Sequence, residues 1–382
     1  MEKIINIVVN SFVNDARVLR TAVAGKKTGR EVFIIAQHKK GLKETEVLDG
    51  CEVIRLKLWT QNLPKKPFFQ LFKYIEFILR ATWIVIMKKP SLVHAHDLNA
   101  LPIGYLGKIF TSSKLIYDSH ELFLNRTGKI PFLKIGLWFE RTVAKKCDLV
   151  ITVSESIAVK LHENLKLINK PTLILNVPLR KELDRSKAIL REKLNIPKEK
   201  FIFLYQGGLQ MDRGVELIIE AMTNITRQDA ILVIVGDGNK KESLMQLASS
   251  LIEKGKIIFH PPVPQNQLHY WTMGGDVGIH PMIGSCLNHL YALPNKLFEY
   301  IQSGLCVIVS DLPEMSRVVN ETNIGLVFKD RDSQDLQRCM EKMMNDNDLK
   351  ETYDDNLHQA ALIYNWEQEE KKLLTAYKEL LN

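Results

Sequence analysis

LNHLYALPNKLFEYIQSGLCVIVSD, residues 287–311, passes through a polar loop, a helix and a buried strand without a break. Pro294 preorganises the first turn, because the N–H it lacks is one that a helix start leaves unpaired anyway. NKLFEYIQ has helical spacing, and Gly304 stops it. The run of Val, Ile and Cys that follows is too short for a helix and shows no polar alternation, so it reads as a strand covered on both faces.

The same alternation extends outward on both sides. Toward the N-terminus, strands are expected at FIFLYQGG (201–208), AILVIVG (230–236), KIIFH (256–260) and DVGIHP (276–281), and beyond the quoted stretch at GLVF (325–328). An earlier series, INIVVN (5–10), EVFIIA (31–36), CEVIRL (51–56), SLVHAH (91–96), KLIYDS (114–119) and DLVITVS (148–154), is separated by helical patterns in the same way, and PTLILNVP (171–178) closes it. Strands alternating with helices imply crossovers and parallel sheets. The expected organisation is α/β, with two Rossmann-like doubly wound domains over residues 1–180 and 181–364 and a last helix over 365–382. In such sheets ligands bind beyond the carboxyl ends of the strands.

At 382 residues the chain is long for one hydrophobic core. Its net charge of +8 is unevenly shared: residues 1–180 hold 29 Lys and Arg against 15 Asp and Glu, while residues 181–382 hold 23 against 29. The basic first half suits an anionic partner. Five scattered cysteines without a CxxC speak against a disulfide framework or a structural zinc, and for a reducing cytoplasm. MEKIINIVVN reads as a first strand rather than a signal peptide. Residues 74–87 are apolar but interrupted by Glu76 and Arg80, too short to span a bilayer. Residues 63–90 interleave Lys65, Lys66, Lys73, Lys88 and Lys89 with Phe68, Phe69, Phe72, Trp83 and Ile84, a pattern that fits either a core helix with solvated lysine ends or a segment lying on an anionic membrane surface.

Chemistry-bearing residues cluster at strand ends. SLVHAHD presents His94, His96 and Asp97, and KLIYDSHELF presents Asp118, His120 and Glu121. The H-A-H spacing points two imidazoles to one face, either as hydrogen-bonded groups of a strand end or as part of a site, with no third metal ligand evident. In YQGGLQMDRG, Gly207 and Gly208 let backbone amides approach an oxyanion, and Arg213, expected in the first helical turn, would hold phosphate. Asn295 and Lys296 occupy the start of the helix after Pro294, suited to a diphosphate, with Glu299 a turn later, suited to ribose hydroxyls. An ordinary exposed i,i+3 pair would look the same. VGDGN (235–239) offers Gly-x-Gly without the third glycine of a dinucleotide fingerprint.

Taken together, NDARVLRTA, HAHDLNALP, YDSHELF, YQGGLQMDRGVELI, ALPNKLFEYIQSGLCVIVSD and the closing YNWEQE helix resemble the family 4 retaining glycosyltransferases over nearly the whole chain, in order. The resemblance implies a GT-B fold, two Rossmann-like domains facing across a cleft with the final helix crossing back to the first. It also implies sugar transfer from a nucleotide-diphosphate sugar without a metal or other cofactor. By position it assigns His120 to the transferred sugar, Gly207 and Arg213 to the phosphates, Lys296 to the departing diphosphate and Glu299 to the donor ribose. Two positions depart from the family pattern: Tyr291 stands where the first of the paired glutamates belongs, and Gly208 where an arginine is common. The N-terminal Gly-Gly loop is replaced by SFVNDAR.

The expected activity is therefore metal-independent retaining transfer, from a uridine rather than a guanosine diphosphate sugar, to a lipid-linked or polysaccharide acceptor. The expected location is the cytoplasm, peripheral on the inner face of the plasma membrane. Fixed cations at the leaving group are the protein's main task in such a reaction, and no carboxylate nucleophile stands out beyond Asp97 and Glu121. A nucleotide-sugar epimerase of the same architecture, or a silent homologue serving as scaffold, are the competing readings. No motif supports nucleic-acid binding. Asp330/Asp332 and Asp346/Asp348 have the Asp-x-Asp spacing of metal-dependent transferases but lie where helix caps are expected.

Overall fold

The computed structural model describes residues 2–13, 15–122 and 133–381; Asn14 and Phe123 of the quoted motifs lie outside them. The chain divides into two units, Met1–Leu175 with Glu369–Asn382, and Asn176–Gln368.

The first unit is built on an eight-stranded sheet: β1 (Lys3–Ile7), β2 (Glu31–Gln37), β3 (Thr45–Leu48), β4 (Cys51–Leu56), β5 (Leu92–His96), β6 (Lys114–Ser119), β7 (Leu149–Thr152) and β8 (Thr172–Leu173). Their order is β3-β4-β2-β1-β5-β6-β7-β8. Every pairing is parallel except β3 against β4. β3 is an edge strand that the sequence reading did not expect, because TEVL is short, half polar and pairs through a tight turn. Ser154 and Asp15 cap helices Glu155–Leu165 and Ala16–Lys26 by accepting from backbone N–H groups three residues on.

The second unit carries a six-stranded, all-parallel sheet of β9 (Phe201–Gln206), β10 (Ala230–Val235), β11 (Ile257–His260), β12 (Val277–His280), β13 (Cys306–Ser310) and β14 (Gly325–Phe328). The order is β11-β10-β9-β12-β13-β14, which renumbered from β9 is the 3-2-1-4-5-6 order of dinucleotide-binding sheets. The four inner strands β9, β10, β12 and β13 are Val- and Ile-rich and buried on both faces, as the sequence implied, whereas the edge strands β11 and β14 are largely half-buried. Strand order reverses between β9 and β12 here, and between β1 and β5 in the first unit, so the carboxyl ends of these pairs are where each sheet opens a crevice. One aspartate of each Asp-x-Asp candidate is a helix cap: Asp332 accepts from Asp335 N and Asp346 from Leu349 N, both at 2.9 Å.

Candidate active site

In the second unit, the loop after β9 begins at Gly207, whose φ of +138° favours glycine. A Cβ there would lie 2.0 Å from both Cε and Nζ of Lys296, so a side chain would displace the lysine from this position. Lys296 thus lies folded across the strand end, its Nζ 5.4 Å above the Tyr205 ring. Burial, the cation of Arg213 and, in opposition, Glu299 set its pKa at about 8. Lys296 and Glu299 are not the exposed pair of the bland reading. Glu299 Oε2 accepts from Gln206 Nε2 at 2.8 Å, Gln206 Oε1 accepts from Thr272 Oγ1 at 2.8 Å, and Gln206 N donates to Tyr300 Oη at 3.1 Å. Gln206 and Thr272 are therefore site residues that sequence reasoning missed. Both are buried at element ends, and an amide and a hydroxyl carry no motif of their own.

Arg213 does not stand in a helical turn as expected. Helix Val215–Asn224 starts two residues later, because Gly214 is left-handed at φ +69° and a Cβ on it would sit 1.8 Å from the carbonyl oxygen of Pro281. That close approach carries the turn with Arg213 to the end of β12. Gly208 is half-buried beside Gly207, and Asn295 is exposed on the first residue of helix Asn295–Gln302. The loop after β12 is tied to the same turn: Ser285 Oγ donates to Asp212 Oδ2 at 2.8 Å and lies 3.0 Å from His289 Nδ1.

His280 ends β12 fully buried, and neither ring nitrogen has a hydrogen-bond partner among the described residues. Burial, with Lys296 and Arg213 close by, keeps it neutral. Its place at the carboxyl end of a strand was the available signal.

In the first unit, parallel register sets Asn6 of β1 beside His94 of β5, and His96 of β5 beside Asp118 of β6. These side chains are fully buried rather than half-buried. Arg17, from the NDAR motif, grips Asp118 twice, Nη2 to Oδ1 at 2.8 Å and Nε to Oδ2 at 3.1 Å. Burial alone would raise the Asp118 carboxyl, but Arg17 and His120 hold it well below the ordinary range. His94 and His96 stack at 4.4 Å between centroids, and burial pushes both below their usual pKa, His96 to about 4. Asp118, named in the sequence at its own strand end but not as a partner of the two histidines, converges with His94 and His96 closely enough to surround a cation. The guanidinium already balances that carboxylate, so a metal added there would leave uncompensated positive charge in a buried place.

His120 is about 20% exposed, at the rim of this cluster. Its Nε2 faces Asp118 Oδ2 at 3.4 Å and its Nδ1 faces Asp97 Oδ2 at 3.5 Å. Burial opposes protonation, but Asp97 and Asp118 outweigh it and raise the imidazole above its usual pKa. Asp97 also accepts from His120 N at 3.0 Å, so this carboxylate is engaged rather than poised as a nucleophile. Behind it, Glu140 accepts from Tyr117 Oη at 2.7 Å, and burial lifts its pKa to about 7.

Two family models match the chain: "Glycosyltransferase Family 4" over residues 16–176 and "Glycosyl transferases group 1" over residues 186–360. The chain belongs to the family 4 glycosyltransferases. This glycosyltransferase is 23% identical to the chitobiosyldiphosphodolichol beta-mannosyltransferase of Debaryomyces hansenii, over 79% of its own length and 71% of that protein. Among solved structures it is similar to sucrose-phosphate synthase from Thermosynechococcus elongatus, with a TM-score of 0.80 at 17% identity over 100% of this chain and 99% of that one. It is also similar to Anabaena Alr3699/HepE in complex with UDP and glucose, with a TM-score of 0.77 at 15% identity over 99% and 100%. These likenesses show a GT-B fold.

Proposed function

We propose that the protein transfers a sugar, with retention, from a uridine diphosphate sugar to the hydroxyl of a lipid-linked or polysaccharide acceptor. The observation that carries the donor side is Lys296 lying across Gly207 beside Arg213, with Glu299 fixed one turn away by Gln206. Fixed cations at a strand end stabilise the charge that develops on a departing diphosphate. Arg213 and Lys296 supply the charge that a metal provides elsewhere, which supports metal-independent transfer. Glu299 has a carboxylate geometry suited to the ribose, and His120 a ring suited to the sugar. UDP in the similar Anabaena structure favours uridine over guanosine. With Asp97 engaged by His120, front-face attack by the acceptor hydroxyl is the route we favour over a covalent intermediate.

A lipid-linked acceptor is supported by the dolichol-linked name of the Debaryomyces relative and by helix Pro67–Lys88. One face of that helix, with Phe77, Ala81 and Val85, is buried. Along the other, Phe68, Phe72, Ile75, Leu79, Trp83 and Met87 form an exposed apolar stripe, with Lys65, Lys66 and Lys89 exposed at its ends. Among the described residues no helix is long and apolar enough to cross a membrane. Peripheral docking on an anionic leaflet on the cytoplasmic side fits both facts.

The test is turnover of UDP- and GDP-sugars by the purified chain with and without lipid-linked acceptors. Arg213→Ala and Glu299→Ala should each lower transfer by about 10²–10³-fold without altering the unfolding transition. Full activity in both variants refutes the donor site. Conversion of donor alone to a different sugar nucleotide would instead establish an epimerase, and tight binding without turnover a scaffold.

A further inference from the structure

Given the orientation of the Asn6 amide, whose Nδ2 has no partner among the described residues, the heavy-atom contacts of the first unit's histidine cluster assign its protons. Asn6, fully buried on β1, places Oδ1 3.1 Å from His96 Nε2. A carbonyl oxygen only accepts, so the His96 proton sits on Nε2. His96 is neutral, and its Nδ1 is then a bare lone pair 3.2 Å from His120 Nε2, with Asp118 Oδ2 3.5 Å away on the same side. Two lone pairs do not face each other at that distance, so His120 Nε2 must carry a hydrogen. On the far side of the cluster, Tyr377 Oη lies 2.9 Å from His94 Nδ1. With the phenol donating to Nδ1, the His94 hydrogen is on Nε2, which lies 3.4 Å from Asp118 Oδ2 without forming a hydrogen bond.

We propose that Asn6 is a positioning residue: through the tautomer of His96 it holds His120 with Nε2–H turned inward, leaving Nδ1, beside Asp97, as the ring nitrogen that gains and loses a proton. The groups facing His120 are Asp97, Asp118 and His96, with Arg17 and His94 behind Asp118, and Glu140 and Tyr117 beyond Asp97. A histidine without the relay could expose either nitrogen. With it, the ring presents one nitrogen, already backed by a carboxylate, to whatever meets its exposed edge. The consequence for catalysis rests on His120 meeting the donor sugar; the wiring itself does not.

Long-range proton–nitrogen correlation spectra of the full ¹⁵N-labelled chain read the tautomers directly, with signals assigned through His96→Gln and His120→Gln. The expected result is His96 protonated on Nε2 throughout the neutral range, and His120 retaining Nε2–H on both sides of its midpoint. Asn6→Val should release the His96 preference and move the His120 midpoint by about one pH unit, while Asn6→Asp, which keeps an oxygen acceptor, should restore Nε2–H on His96. A loss of packing alone would leave that midpoint in place. His96 found with its proton on Nδ1, the wiring the opposite amide orientation would give, overturns the proposal. So does an unmoved His120 midpoint in folded Asn6→Val. Should that variant not fold, the tautomers of the natural chain decide. No sugar nucleotide is present in these spectra, so failure here is distinct from failure of the glycosyltransfer reading, which the transfer rate of His120→Gln tests.

Discussion

Lys296 concentrates the electrostatics of the second unit in one side chain. It is covered by protein, lies close to Arg213 and is only partly compensated by Glu299, so its pKa sits at about 8. A bound diphosphate favours the charged amine, and binding above that pH must take up a proton. Affinity for UDP should therefore be full below about pH 8 and fall as pH rises beyond it. Calorimetric titrations across that range check the slope, and in Lys296→Met the pH dependence above 8 should vanish with most of the affinity. An unchanged slope in that variant would assign the proton to another group. His280, buried and unpartnered behind the same cations, was invisible to motif reading because its significance lies in what fails to bond it. Arg17 was legible only as part of a family stretch; that its guanidinium lies on Asp118, a hundred residues away, is a fact of packing.

At the scale of elements, helix Pro67–Lys88 shows how far a pattern alone can go. The core reading of residues 63–90 holds for one face of the helix, and the other face is exposed. The lysines divide as well. Lys73 donates to the carbonyl of Leu63, and Lys88 sits 3.9 Å above the Phe33 ring, whereas Lys65, Lys66 and Lys89 are exposed. Glu76, which broke the apolar run in the sequence, accepts from the backbone of Trp59 and Thr60 and so anchors the preceding turn. Flotation with anionic vesicles at low salt should carry the protein upward. Phe72→Glu with Trp83→Glu should abolish it while leaving circular dichroism and donor binding intact, since neither side chain is in the core. Equal flotation of that double variant would remove the membrane role of this face. Strand positions were readable throughout from Val and Ile runs; the misses were β3, too short and polar to show, and the start of the helix after Arg213, displaced by the left-handed Gly214.

For the whole molecule, the two units do not simply follow one another along the chain. Residues 369–382 belong with the first unit although 176–368 form the second. Glu369 Oε2 accepts from Leu175 N at 2.8 Å, Tyr377 is fully buried against His94, and Leu373 is buried too. Truncation before Glu369 should strip protection from amide exchange in β5 and β6 while sparing β9 and β10. Unchanged protection of β5 would show that the segment is dispensable to the first unit's core.

What the sequence determined by itself was the succession of strands and helices, because period and propensity are local, and the family, because its motifs run in order along the chain. It also named His120, Gly207, Arg213, Lys296 and Glu299 as the residues to inspect. Tertiary structure alone decided what those residues do to one another: that Gly207 makes room for Lys296, that Gln206 fixes Glu299, and that Asn6, His96 and Asp118 surround His120. These are contacts between residues distant in the chain, from neighbouring strands and the loop after one of them in the first unit and from a strand end and a helix in the second. Sheet order and register set them, and neither is written in any single stretch of sequence.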